Sequence, residues 1–156
     1  MTPLESDARF LTHSKLLWDS FYKWTGKHLI DEEIRLDPVS LSTALYHAPF
    51  VLISHGNETD PVFNYANLKA QQLWKMPWEA FTSLPSRYSA EPVNREERQQ
   101  LLEQAERFGH ITGYQGVRIT AEGLRFRIKN TVLWNVVDEK GLFLGQAAVF
   151  KEWDWL

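Results

Sequence analysis

Hydrophobic and polar residues alternate along the last third of the chain. From residue 124 to residue 136 the even positions read Leu, Phe, Ile, Asn, Val, Trp and Val, while the odd positions begin Arg125, Arg127, Lys129 and Thr131. A period of two marks a strand with one buried and one wet face. Leu133 and Val137 break the polar side, so the outer face is expected to be partly covered late in the strand. Runs of similar character flank it, GYQGVRIT before and LFLGQAAVFKEW after. The connecting AEG and DEKG end in Gly123 and Gly141, and glycine closes such hairpin loops in a left-handed conformation at little steric cost. The pattern predicts a three-stranded antiparallel meander whose apolar face needs cover.

Upstream, the period lengthens to that of a helix. Over residues 4–24, Phe10, Leu11, Leu17, Trp18, Phe21 and Tyr22 fall largely on one face, with Ser6 as the expected cap and Gly26 as the stop. Residues 27–40 read as a polar connector, and Ser40 or Ser42 is expected to cap a short helix over 41–46 that Pro49 ends. Residues 50–54 and 62–66 suit two strands of a hairpin across the turn-forming HGNETDP. Asn67 caps a helix over 68–74, Pro77-Trp78 opens another turn through Phe81, and LPSRYSAEP is irregular. A final helix over 94–108 has Asn94 and Glu97 at capping-box spacing. It carries an apolar stripe of Leu101, Leu102, Ala105 and Phe108, a Glu103–Arg107 pair, and Gly109 as terminator. This order is satisfied by an α+β domain, a five-stranded antiparallel sheet with helices on one face that can leave a cavity beneath them.

Composition narrows the function classes. The 156 residues suit a single domain with a real core, and 44% hydrophobic with 24% charged residues is an ordinary globular balance. A net charge of −3 without a basic run argues against nucleic-acid binding, which needs clustered Lys and Arg on phosphates. The absence of cysteine excludes disulfides, thiolate metal sites and a flavin–thiol adduct. The start MTPLESDARF lacks the pattern of a signal peptide and no apolar run approaches the roughly 20 residues of a membrane span, so a cytoplasmic protein without membrane contact is expected. Seven Trp, five Tyr and nine Phe fit a thick core, a ligand cavity or a sticky interface equally.

The strand VFNYAN followed by LKAQQLW resembles the PAS pattern of a strand, then Tyr-x-Asn, then a helix. More specifically, HAPFVLISHG, FNYAN, RYSAEPVNREER, GYQGVRIT, FRIKNTVLWNVVDEKG and GQAAVFKEW together resemble the MEKHLA domain. That domain occurs in bacterial and cyanobacterial proteins and at the carboxy terminus of plant class III homeodomain-leucine zipper proteins. The likeness covers about residues 46–153, which divides the chain into an amino-terminal helical flank (1–45) and a MEKHLA/PAS-like domain (46–156). The six-residue string that names the family is absent here, as are a homeodomain and a zipper, so the transcription-factor setting does not transfer. The resemblance implies a PAS-like five-stranded sheet and a sensory or ligand-binding role exerted through protein contacts, without enzymatic activity and without a specified ligand. A ligand-free dimerisation or interaction module is the rival reading, and a small enzyme using the cavity a third. PAS-like domains often dimerise through a flanking helix. Helix 4–24 is therefore expected either to lie on the outer sheet face of its own chain, over Leu133, Val137 and residues 142–150, or to pair with a second copy in a homodimer.

In a PAS-like arrangement the candidate ligand pocket collects Asn67, Trp78, Arg87, Tyr88, Arg98, Leu102, Tyr114, Arg118, Asn130, Trp134 and Ala147. Arg87, Tyr88, Arg95 and Arg98 group near its expected mouth, where a guanidinium could clamp a carboxylate or phosphate bidentately. The alternative is that these arginines pair with Glu91, Glu96 or Glu97 and fix the loop. Asn130 is the one polar residue on the alternating apolar face, so its amide needs partners in the loop above or in a ligand. Trp134 reads as core. The cofactor is unknown. Non-covalent flavin or another small molecule stays open, and haem is disfavoured because none of His13, His28, His47, His55 and His110 falls inside the 94–108 helix. No spacing of His, Asp or Glu suggests a metal, and no nucleophile–base pattern demands catalysis.

Overall fold

The computed structural model describes residues 7–156. In chain order it comprises α1 (Ala8–Thr25), α2 (Pro38–Tyr46), β1 (Val51–His55), β2 (Phe63–Ala66), α3 (Leu68–Trp74), α4 (Trp78–Phe81), a 3₁₀ turn (Ser86–Ser89), α5 (Pro92–Phe108), β3 (His110–Ile119), β4 (Arg125–Val137), β5 (Phe143–Phe150) and β6 (Glu152–Trp155). The strands form one antiparallel sheet in the order β2-β1-β5-β4-β3, and β6 lies beside the first half of β4. Both meander turns end as expected, in glycines with left-handed φ at Gly123 and Gly141.

Several helix starts differ from those expected from the sequence. Asp7 caps α1, its carboxylate accepting from the Arg9 and Phe10 amides; Ser6 lies outside the described residues. Asp37, not Ser40 or Ser42, caps α2 by accepting from the Ser40 amide. Helix α5 starts two residues before Asn94, and no side chain caps it. In both α2 and α5 a proline opens the helix, where its fixed φ is already helical and its missing N–H would have had no intrahelical partner. Asn67 does cap α3, as the sequence implies.

The sheet is covered on both faces. On the inner face α3, α4 and α5 enclose Val51, Phe63, Trp74, Phe126, Ile128 and Phe150. On the outer face α1 and α2 bury Phe10, Leu17, Trp18 and Phe21 with Leu52, Tyr65, Trp134 and Val136. Helix α1 thus lays its apolar side on the sheet of its own chain, with Phe21 edge-on to Trp134 at 4.9 Å and Ser20 Oγ accepting from Trp134 Nε1 at 3.0 Å.

Strand β4 does not keep one parity. Asn130 has a φ of +50° and breaks the alternation. Before it, Phe126 and Ile128 point to the inner core; after it, the inner side is taken by Thr131, Leu133 and Asn135, while Val132, Trp134 and Val136 turn outward to α1. The expectation that even positions share one buried face is therefore corrected from Asn130 onward. Asn130 is itself exposed, its amide donating to Glu152 Oε2 at 2.7 Å. Asparagine is among the few side chains that tolerate this region. The surface expected to receive α1 changes with the parity, from Leu133 to Trp134 and Val136.

Helix α5 also presents a different face. Ala105 and Arg98 are buried, Leu101 and Leu102 are half-buried, and Phe108 is 63% exposed. At about 100° per residue, Phe108 sits about 80° around the helix from Arg98, beyond the edge of the contact. The expected Glu103–Arg107 pair is replaced by Gln99, whose amide donates to Glu103.

Asn130→Gly should leave stability within a few tenths of a kcal/mol, and Asn130→Val should cost roughly 1–2 kcal/mol, because only the second opposes the left-handed backbone. Chemical denaturation of both variants checks this. Equal losses would show that the conformation at this position does not matter. Leu17→Ala, at a fully buried position of α1, should cost roughly 2–5 kcal/mol in the same assay.

Candidate functional site

Between α5 and the inner sheet face lies a small cavity of about 40 Å³. Its walls are largely apolar, with Ile53, Phe63, Trp74, Leu102, Ile128, Leu133 and Phe150, and its polar lining is His55, Ser89, Arg98, Tyr114, Arg118 and Gln146, with Ser54 touching it only through its backbone because its hydroxyl bonds His13 and Asn64 on the outer face. Adjacent strands deliver most of the polar side chains. His55 stands opposite Gln146 in the β1–β5 ladder, and Gln146 opposite Asn135 in the β5–β4 ladder. Arg118 and Tyr114 come from β3, four residues apart and so on the same face.

Two buried guanidinium groups face this space. Arg98 and Arg118 are each 7% exposed. Arg98 donates to Ser86 Oγ at 3.0 Å; Arg118 donates to the Tyr114 hydroxyl and to its neighbour's carbonyl, Val117 O, at 2.8 Å. Among the described residues, neither is paired with a carboxylate. Burial pushes Arg98 down to about 10, with Arg118 adding like-charge repulsion, Tyr114 opposing it, and Arg95 adding more. Gly116 makes room for this cluster, since a Cβ there would stand 2.7 Å from the Tyr114 hydroxyl and 2.9 Å from Arg118 Nη1.

His55 is equally buried. Its Nδ1–H donates to Gly56 O at 2.9 Å, which leaves Nε2 without a partner. Desolvation pushes it down to about 4, against a favourable bond to Gly56. Trp74 Nε1 is likewise a buried donor without an acceptor.

A polar joint connects the cavity wall to both helical layers. Gln146 Nε2 donates to Leu102 O of α5 at 2.8 Å and to Asn135 Oδ1 at 3.3 Å. Asn135 donates its side-chain amide to Glu106 O and its backbone N–H to Gly109 O, at the end of α5. Its own carbonyl accepts from Trp24 Nε1 of α1 at 2.8 Å.

Of the residues expected to form a pocket, Arg98, Leu102, Tyr114, Arg118 and Ala147 line the cavity, Ala147 through its backbone because its side chain shares the outer face with Trp134. The others lie elsewhere. Asn67 is fully buried but spends all its bonds on the fold, accepting from the Leu52 and Ala70 amides and donating to Leu45 O and Phe50 O. Trp78 packs on Phe10 and Tyr65 in the outer layer. Arg87 and Tyr88 are exposed, with Arg87 paired to Asp60 and stacked on the Tyr88 ring. Arg95 donates to Arg87 O and Ala90 O. The expected pairing of these arginines with Glu91, Glu96 or Glu97 is thus replaced by Asp60, backbone carbonyls and Ser86. Asn130 is exposed, and Trp134 is on the outer face. His110, which lies just past α5, opens β3 and is half-buried. His55 and Gln146 were not expected in the site. The signal for Gln146 was a lone amide inside an apolar strand; His55 was hidden because it abuts a run of turn-forming residues.

The depressed His55 predicts a pH dependence. The folded state keeps this ring neutral while the unfolded chain takes up a proton near pH 6.5, so stability is full above that pH and falls as pH drops from about 6.5 towards 4. Between pH 7 and pH 5 the loss should be roughly 2 kcal/mol. His55→Asn, which can still donate to Gly56 O, should show that much less pH dependence in chemical denaturation. His13 is pushed down to about 4 by desolvation too, and adds a loss of the same sign over the same pH range, which remains in the His55→Asn variant. A wild-type protein as stable at pH 5 as at pH 7 would contradict the burial of a neutral ring.

The PAS domain of a protein from Colwellia psychrerythraea is similar over 69% of this chain and 89% of that one, with a TM-score of 0.62 and 15% identity. A light-oxygen-voltage domain from a study of a flavin analogue is similar over 75% and 84%, at 0.59 and 15%. An RNA-binding light-oxygen-voltage receptor is similar over 73% of this chain but 32% of its own, at 0.60 and 16%. These establish a PAS-like fold. No curated protein matches the chain. The inner layer does not fit a flavin, because ligand pockets of that class run to roughly 300 Å³ or more and here Trp74, Phe63, Ile128 and Phe150 occupy the space. No described helix is long and apolar enough to cross a membrane. The sequence matches the MEKHLA domain over residues 11–155, from within α1 to the end of β6, and the chain belongs to the MEKHLA domain family.

Proposed function

We propose that this chain is a PAS-like sensory module, in which the state of the inner cavity sets how α5 is seated and thereby how α1 is held. The observation that carries the reading is the joint at Asn135 and Gln146. It bonds the cavity wall to α5 at Leu102, Glu106 and Gly109, and to α1 at Trp24. A small ligand that displaced Leu102 would pull on the same carbonyls that hold the sheet, and the sheet carries α1 on its other face. The output is a change in protein contacts, with no chemical step. A partner, a second copy of the chain in a homodimer included, would read the outward side of α1, since its apolar side is already used by the sheet. The setting is cytoplasmic. The small cavity volume supports a second reading, a ligand-free interaction module with a filled core.

Native mass spectrometry of the purified chain, with amide exchange before and after unfolding and refolding to strip bound molecules, separates the two readings. The sensory reading expects a non-covalent small molecule and faster exchange in α5 and the last turn of α1 once it is removed. In Gln146→Leu the response of α1 should disappear while that of α5 remains. A chain that carries nothing and exchanges identically in both states would establish the interaction module instead.

A further inference from the structure

We infer that the inner cavity is a site for a small carboxylate, held by Arg98 and Arg118. This rests on the sensory reading and gives its ligand a chemical class. Arginine is almost never fully buried unless it is paired. A buried charge costs free energy that only a partner and full hydrogen bonding offset. Here two guanidinium groups from different elements, α5 and β3, are buried at one cavity. Among the described residues their only side-chain hydrogen-bond partners are the neutral hydroxyls of Ser86 and Tyr114. None of the ion pairs among the described residues involves either one. Their mutual repulsion is the reverse of what a filled core would tolerate, and it is what an anion between them would relieve.

Other groups at the cavity agree. Trp74 Nε1 is a buried donor with no acceptor. No carboxylate among the described residues lines the space to compete. Gly116 keeps the strand from filling the corner where Arg118 and Tyr114 meet.

Size and wall chemistry select the kind of anion. A volume of about 40 Å³ corresponds to about three water-sized positions, which is the extent of one carboxylate group. The rest of the wall is apolar, with Ile53, Leu102, Ile128, Leu133 and Phe150, and suits a short hydrocarbon tail; a phosphate would leave oxygens facing these side chains. The head group takes the space already present between the guanidinium groups. The tail makes its room by moving Leu102, whose carbonyl is bonded to Gln146.

The test is a binding panel on the whole chain by calorimetry and thermal melting, in buffer free of carboxylate and phosphate. The probes are acetate, propionate and butyrate, with propionamide as the neutral isostere and inorganic phosphate as the other anion, at constant ionic strength. The expected result is saturable binding of a carboxylate that raises Tm, with no response to the amide. Arg98→Met and Arg118→Met should each weaken that binding about tenfold or more. Ligand-free Arg98→Met should melt higher than the wild type, because an unpaired buried charge has been removed, and this shows that the variant folds. Equal binding of propionamide, or binding that survives both substitutions, overturns the carboxylate site and leaves the sensory reading standing. Tighter binding of phosphate overturns the choice of carboxylate. Silence across the whole panel also overturns this inference, while the sensory reading falls only if the purified chain carries no small molecule.

Discussion

Strand β4 has to serve two layers, and the left-handed backbone at Asn130 is what allows it. A regular strand offers every second side chain to one face, and its other face must then be wet or filled by the intervening positions. In β4 the first half gives Phe126 and Ile128 to the inner core and leaves Arg125, Arg127 and Lys129 outward. The second half, shifted by one residue, gives Trp134 and Val136 to α1 and Leu133 and Asn135 to the inner side. Without that shift Trp134 would stand under α5, in the space the cavity occupies, and α1 would meet Leu133 instead.

The same shift places the polar residues that join the layers. Asn135 and Gln146 are ladder partners pointing inward, so both reach the carbonyls of α5. The Asn135 carbonyl lies in the strand backbone and is open to Trp24 of α1. Gly109 allows that approach, because a Cβ there would meet the Trp24 ring at 2.4 Å. One residue of β4 therefore bonds elements on opposite faces of the sheet. Buried polar networks of this kind rigidify a structure when satisfied and transmit strain when one member is disturbed.

Much of the architecture was legible in the sequence. The two periods separated strands from helices, Gly26, Gly123 and Gly141 marked the stops, and Asn67 marked the start of α3. The site was less so, for three physical reasons. A single αL residue inside a strand leaves no trace in the hydrophobic pattern and reverses every assignment after it, which misplaced Trp134 and hid Leu133. Arg98 was grouped with Arg87 and Tyr88 at the expected mouth, although it alone lies on the same helical face as Leu102 and Ala105. The exposed Arg87 and Tyr88, from the same short segment, looked equivalent to it. Nothing in composition distinguishes a guanidinium paired with Asp60 in water from one enclosed under a helix; only the fold does.

The short strand β6 has a consequence for how the molecule behaves at high concentration. Strand β5 covers only the second half of β4, from Val132 to Val137, so the first half would otherwise present a free row of backbone donors and acceptors. Residues Glu152–Trp155 continue from β5 after a single intervening residue and pair with Phe126 to Lys129, and the Leu156 amide closes the row on Arg125 O. An uncovered edge is a template for the edge of another molecule, and natural sheets blunt such edges with short strands and charged side chains. Here the covering strand has four residues, with Asp154 paired to Lys129 and Glu152 to Asn130. Chains clipped within these last residues would bare the β4 edge and take the Trp155 ring off the otherwise buried Phe126. They would then be prone to add strand to strand into insoluble assemblies, even with the core and both helical layers intact.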